Sequence, residues 1–317
     1  MPITNPRTAE MEFKEKFVLR YSKLTDIDKF KEYSFSYLRK SIRVNTLKID
    51  VETLVKRMSK DWILTPVPWC KEGFWIEHRG IGEEKRRDIG NTIEHVLGYI
   101  YVQEAASMIP PLVLDPQPGD RVLDMCAAPG SKTTQIAMYM KNKGVLVAND
   151  LTSIRLAALG VNLQRCGVLN VVTTQSSGGS FREVEFDRVL VDAPCSGTGT
   201  IRKSLKTIEM WNPRLGSHLA KTQKQLIKVG YSVLAKGGTL VYSTCTLEPE
   251  EDEEVVDFLL KQFPDAHVEE IQIDLKRSPA VTEFEGKKYS DEVKKCLRIW
   301  PQDNDTEGFF VAKIRKE

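Results

Sequence analysis

The chain reads as an α/β protein, a doubly wound parallel sheet preceded by a small α+β unit. Three observations carry this. Short apolar runs alternate with helical stretches from residue 121 onward, the first run opens into a turn of small residues, and later runs end beside Asp192, Cys195 and Cys245. Composition agrees: of 317 residues, 41% are hydrophobic and 28% charged, with 20 Gly and 15 Pro, which excludes disordered and collagen-like chains. No stretch approaches the roughly 20 apolar residues of a membrane span. The first ten residues lack a cleavable leader's apolar core, so a cytoplasmic protein is expected.

Taken in order, Phe13, Phe17, Tyr21, Phe30, Tyr33, Phe35 and Tyr37 are spaced among charges and predict amphipathic helices. Residues 41–49 alternate and predict a strand; Asp50 then caps a helix with apolar positions Val51, Leu54, Val55 and Met58. Residues 73–78 predict another strand, closing a unit of residues 1–95. The second unit, residues 96–317, opens with a helical stretch at 103–114 punctuated by Pro110 and Pro111. Strands follow at 121–125, 144–150, 170–174, 187–192, 238–244 and 309–314. A sheet of this kind holds its ligands beyond the carboxyl ends of its strands.

Charge is patterned although the net is only +2. Residues 31–60 carry eight Lys/Arg against three acids, 201–240 eight against one, and 248–257 seven acids in ten residues. Basic stretches suit phosphate backbones, the plainer reading being solvated helix faces. The acidic run reads as a helix start whose charges meet the dipole. Of six cysteines, Cys126, Cys195 and Cys245 follow strand-like runs, a placement that suits reactive thiols. With no Cys-x-x-Cys and four scattered His, no metal is expected.

The turn Asp124-Met-Cys-Ala-Ala-Pro-Gly-Ser-Lys-Thr133 has one glycine, too few for a dinucleotide fingerprint, and it lacks the upstream glycine of a triphosphate loop. Ala127, Ala128 and Gly130 at a helix start offer backbone donors and a positive dipole end to a single carboxylate. S-adenosylmethionine has that carboxylate and no phosphate. Asp150, 20 residues after Gly130, stands where such sheets present a carboxylate to ribose hydroxyls.

Neighbouring strands ending at Asp192 and at Thr244 would bring Asp192, Cys195 and Cys245 together beside that turn. Two thiols, an acid and a methyl donor fit methylation of cytosine at carbon 5. That carbon becomes nucleophilic only when a thiolate adds at carbon 6. A buried Asp192 with a raised pKa would share a proton at ring nitrogen 3, and a second thiolate would remove the carbon 5 proton. Spacing alone does not say which cysteine does which.

The motifs at 124–133, 192–199 (Asp-Ala-Pro-Cys-Ser-Gly-Thr-Gly) and 242–253 (Tyr-Ser-Thr-Cys-Thr-Leu-Glu-Pro-Glu-Glu-Asp-Glu) resemble those of Sun-family (NOL/NOP/Sun) RNA (cytosine-5) methyltransferases. Tyr101-Val-Gln-Glu-Ala-Ala-Ser-Met108 and Thr306-Glu-Gly-Phe-Phe310 extend the resemblance over about residues 40–315. It implies an archaeal-type tRNA or rRNA enzyme with a Rossmann-like S-adenosylmethionine-dependent sheet and an RRM-like N-terminal unit. It further implies Cys245 as nucleophile, Cys195 as the base that releases product, Asp192 against the target base and Lys132 beside it. The cofactor would be held by Cys126, Ala127, Ala128, Pro129, Gly130, Ser131, Lys132 and Asp192, with Asp150 on the ribose and Arg155 nearby. Where the family often has Asp for the adenine, this chain has Ser177, with Gln175 as the alternative.

A thiol reaches carbon 6 only in an unpaired or flipped cytosine. Arg202, Lys203, Lys206, Arg214, Lys221 and Lys224 would line the RNA path, with Trp211 a stacking surface or a core residue. Arg39, Lys40, Arg43 and Lys48 of the first unit would contact the backbone. The absence of a further recognition module leans towards tRNA over rRNA; oligomeric state stays open, a monomer being compatible. The competing expectations are a non-catalytic RNA-binding factor, which has no need of both thiols, and a methyltransferase for a non-nucleic substrate.

Overall fold

The computed structural model describes residues 2–80 and 88–317. Alternation at Ser41–Val44 builds strand β1, which pairs antiparallel with β3 (Cys70–His78). With β2 (Trp62–Val67) and β4 (Ile100–Val102) they form a sheet of order β2-β3-β1-β4. The helix Val51–Met58 covers it, capped by Asp50, whose carboxylate accepts the Thr53 N–H at 2.8 Å, and it places Leu54 and Met58 against Ile42, Val44 and Phe74. The expected strand at 41–49 stops at Val44. Asn45 turns the chain there, donating from its amide to the carbonyls of Gly98 and Cys166. β4 lies past residue 95, where the sequence reading closes this unit; 81–87 of that unit lie outside the described residues.

The first two helices, Glu15–Tyr21 and Ile27–Ser34, do not cover this sheet. Phe17, Tyr21 and Phe30 pack instead with Ile201, Ile208, Trp211, Leu247 and Trp300. The opening of the chain thus packs against residues of the large unit. Pro110 and Pro111 begin the helix Ile109–Leu114 rather than break it, because a first-turn proline has no partner to lose.

The large sheet contains β5 (Arg121–Asp124), β6 (Val145–Asp150), β7 (Val171–Gln175), β8 (Phe186–Asp192) and β9 (Leu234–Thr244), all in parallel pairing. β10 (Ala266–Glu269) and β14 (Phe309–Lys316) complete the order β10-β14-β9-β8-β5-β6-β7, both of β14's neighbours in it antiparallel. A hairpin β11 (Glu283–Phe284) and β12 (Lys287–Lys288) precedes β13 (Leu297–Ile299), which pairs with β14. The central strands are apolar throughout because both faces are covered: Val122, Leu190 and Val241 point into one core and Leu123, Val189, Val191, Leu240 and Tyr242 into the other. From β5 the chain winds one way to β6 and β7 and the other way to β8 and β9. A crevice therefore opens at the carboxyl end of β5. Among the described residues no helix is long and apolar enough to cross a membrane.

Candidate active site

The crevice begins with the turn after β5. Gly130 adopts φ +105° at the start of the helix Ser131–Tyr139, and a Cβ there would meet Leu159 Cδ1 at 2.8 Å. The turn is braced from β6. Asp150 accepts the Ala128 N–H at 3.1 Å and pairs with Arg155 Nε at 3.1 Å, and Arg155 donates to the Ala128 carbonyl at 3.0 Å. Asp124 accepts the Thr133 hydroxyl at 2.7 Å on one oxygen, while its other oxygen is buried without a partner among the described residues. Burial lifts Asp124 to about 7. Burial, then Asp124, pushes the Cys126 thiol far above its usual range. Ser177, beyond the end of β7, is exposed and shares a hydrogen bond with Ser180 at 3.2 Å.

β8 and β9 set the second half of the site. Their parallel register aligns Asp192 with Ser243, so the segments after both strands leave the sheet side by side. Ala193 donates to Ser243 O at 2.9 Å and Gly199 to Cys245 O at 3.0 Å. The sulfurs of Cys195 and Cys245 lie 3.1 Å apart. Cys245 lines a cavity of about 390 Å³ together with Asp192, Lys132 and the turn at Cys126–Pro129; Cys195 is not in that lining and sits against Cys245 from behind. The hydrogen bond with Cys245, then burial, holds the Cys195 thiol well above its usual range, so Cys195 is protonated at neutral pH.

Asp192 departs from the sequence expectation. It is not a lone buried acid: its side chain keeps 27% of its surface, pairs with Lys132 Nζ at 2.7 Å and accepts the Ser243 hydroxyl at 2.8 Å. Burial opposes the Lys132 charge, but Asp192 more than compensates and the ammonium is held.

The cavity also contains Glu104 and Glu307, which sequence reasoning passed over although both lie inside motifs it noticed. Burial, then Glu307, lifts Glu104 to about 8. Their signal was an acid in each of two otherwise small or apolar motifs.

Several expected RNA contacts are structural. Trp211 is buried and donates its indole N–H to Glu248 at 2.8 Å. Arg202 is buried against Asp305 and the carbonyls of Tyr37 and Thr306. Arg43, buried, bonds Gln103, Thr134 and the Ser131 carbonyl, joining the small sheet to the turn after β5. Lys48 donates to the carbonyls of Leu97 and Arg165, and Arg39 lies over the Trp75 ring at 3.7 Å. Lys224 pairs with Glu254 at 2.8 Å. Lys203, Lys206, Arg214 and Lys221 are exposed. The acidic run starts a helix, as expected, with Asp252 at its cap and Glu253 and Glu254 in the first turn of Glu253–Gln262. It is also a buried hub: Glu248 meets Arg20, Tyr21 and Trp211, Glu251 meets Ser196 and Gln223, and Asp252 and Glu253 meet Arg298.

The sequence profile described as 16S rRNA methyltransferase RsmB/F matches residues 111–315, and that of the N-terminal domain of 16S rRNA methyltransferase RsmF matches 13–105. The chain belongs to the RsmB/F family. One relative of this RsmB/F protein, tRNA (cytosine(49)-C(5))-methyltransferase of Pyrococcus abyssi, is 49% identical over 316 residues, covering 96% of this chain and 99% of its own. Ribosomal RNA small subunit methyltransferase F of Photobacterium profundum is 48% identical over 285 residues, 88% of this chain but only 58% of its own. A methyltransferase homolog protein from Pyrococcus horikoshii superposes with a TM-score of 0.83 at 40% identity, covering 99% and 100% of the two chains. NSun6 from Pyrococcus horikoshii with SFG gives 0.84 at 26%, covering 96% and 98%.

Proposed function

We propose that this RsmB/F-family protein methylates carbon 5 of a flipped or unpaired cytosine in RNA, tRNA in preference to rRNA, with S-adenosylmethionine as donor. The observation that carries the reading is a cavity-lining thiol, Cys245, with a second thiol 3.1 Å behind it and a Lys132–Asp192 pair at its edge. The nearly full-length relative named for tRNA cytosine-C5 supports the tRNA preference.

The residues present suit the cofactor. The turn 126–132, whose Gly130 leaves no room for a Cβ, would take its carboxylate, the unpartnered Asp124 oxygen offers its ammonium an acceptor, and Asp150 with Arg155 would hold the ribose. Ser177 would face the adenine, and SFG in the related structure is an analogue of the same molecule. Bound there, S-adenosylmethionine supplies an electrophilic methyl group.

In this reading Cys245 thiolate bonds to carbon 6, and the carbon 5–carbon 6 π electrons move towards carbon 5, which becomes nucleophilic. Asp192, held by Lys132, is an acceptor towards the base edge rather than a proton donor, and Lys132 supplies the positive charge near the developing anion. Once carbon 5 carries its methyl group, Cys195, after releasing its own proton to solvent, takes the carbon 5 proton as a thiolate, the double bond re-forms and the Cys245–carbon 6 bond breaks to return the Cys245 thiolate. We place the reaction in the cytoplasm and assign it to a single chain, with the small sheet positioning RNA.

The test is incubation with bulk RNA and methyl-labelled donor, followed by digestion. Label in 5-methylcytidine is expected; label in protein or in another nucleoside would overturn the reading.

A further inference from the structure

Besides Asp124, a second cavity carboxyl, Glu307, keeps one oxygen with no hydrogen-bond partner among the described residues. Glu307 is 4% exposed, and that oxygen, Oε1, is enclosed. Its neighbour Glu104 differs, because its oxygens accept the backbone N–H groups of Ala106 at 2.7 Å, Ser107 at 3.2 Å and Glu307 itself at 3.2 Å. Glu104 thereby fixes the chain at residue 307 while its own lone pairs are engaged. Gly308 locks the other side, donating to Gly199 O at 2.9 Å where a Cβ would strike Leu247 at 2.7 Å. Enclosing that Glu307 oxygen without a donor is costly. Such a cost is expected where a ligand brings the missing donor.

The sheet indicates which ligand. β14 pairs with β9 so that Phe310 faces Thr244, which puts Glu307 just beyond Cys245. β14 is separated from β5, the strand that leads into the cofactor turn, by β9 and β8, roughly 14 Å at about 4.8 Å per strand. Glu307 stands beside the nucleophile, in the cavity it shares with Lys132 and the turn after β5, within reach of a target nucleotide at Cys245. On the pairing edge of cytosine the one donor is the exocyclic 4-amine.

We infer that Glu307 is a specificity-determining residue that accepts a hydrogen bond from the 4-amino group of the flipped cytosine. The inference rests on the cytosine-5 reading above. As a carboxylate Glu307 offers only acceptors, and uracil would oppose them with the lone pairs of O4. Selection against uracil then follows from an unpaired acceptor facing another acceptor.

The test uses the full chain and a short RNA carrying the mapped target, with cytidine or with the pyrimidin-2-one ribonucleoside that lacks only the 4-amine. Rates of covalent adduct formation are compared for wild type, Glu307→Ala and Glu307→Gln, with donor affinity measured by calorimetry. Glu307→Ala is expected to slow reaction with cytidine about 10- to 100-fold and to leave the pyrimidin-2-one rate within about twofold, collapsing the wild-type preference; Glu307→Gln, which keeps an acceptor, restores part of it. Equal losses on both bases, or a loss that disappears on 2′-deoxycytidine instead, would overturn the inference in favour of a structural or sugar-reading role. Failure of wild type on both bases would instead bring down the cytosine-5 reading and this inference with it.

Discussion

At the residue scale the two thiols are unequal because only one faces the cavity. The largest influence holding Cys195 protonated is its hydrogen bond with Cys245, and that influence vanishes when the Cys245 sulfur is tied up at carbon 6. In the proposed mechanism Cys195 must shed its own proton before it can serve as the base for carbon 5. Cys195→Ala should accumulate a covalent protein–RNA adduct, seen as a shifted band on a denaturing gel. Cys245→Ala should form none and lose at least about 10³-fold in turnover; an adduct that survives without Cys245 and disappears without Cys195 would reverse the roles. Lys132→Met leaves Asp192 with only Ser243 as partner and should cost on the order of 10²- to 10³-fold in turnover. Donor affinity by calorimetry should change less than turnover.

At the element scale, strand ends position the chemistry and buried ion pairs hold the strand ends. Gly199 passes so close to Gly308 that a Cβ would lie 2.3 Å from its carbonyl oxygen, and 2.8 Å from that of Cys245. Gly199→Ala must therefore move backbone beside the nucleophile. A drop in turnover larger than the fall in thermal midpoint is the expected result. Arg298, fully buried, binds Asp252 at 2.9 Å, Glu253 at 2.6 Å and the Leu247 carbonyl at 3.1 Å, fixing the segment after Cys245 to β13. Arg298→Ala leaves two buried acids uncompensated and should destabilise the fold by about 3–5 kcal/mol, measured by denaturant unfolding. The acidic run is legible in the sequence, but its partners Arg20, Gln223 and Arg298 are distant in the chain, so its role as a hub is not.

At the scale of the whole molecule, buried acids make stability depend on pH. Asp124 is raised to about 7 and Glu104 to about 8, whereas unfolded carboxyls titrate near about 4. Between about pH 4 and 8 the native state binds more protons than the unfolded chain, so stability should fall as pH rises through that window. Calorimetric midpoints from pH 5 to 8 should show the decline, and Asp124→Asn or Glu104→Gln should flatten it; an upward slope would refute the assignment. RNA affinity should fall steeply with salt, and replacing the exposed Lys206 or Lys221 by Ala should reduce the slope of log affinity against log salt by about one each. The buried Arg202 and Arg43 should behave differently, their loss showing as instability rather than as a changed salt slope.

The sequence by itself determined the parallel sheet, because strands covered on both faces must be apolar runs and those runs are local. It also determined the cofactor turn and the residues at strand ends, since Gly130, Asp150, Asp192 and Cys245 are set by their distance along the chain from the strands that carry them. Only the tertiary structure decided which thiol faces the cavity, that Asp192 is paired with Lys132, that Trp211 and Arg202 are interior, and that one oxygen of Glu307 has no donor among the described residues. Burial and pairing depend on what residues far apart in sequence bring to the same place, and helical and strand periodicity encode which face a residue occupies but not what waits opposite it.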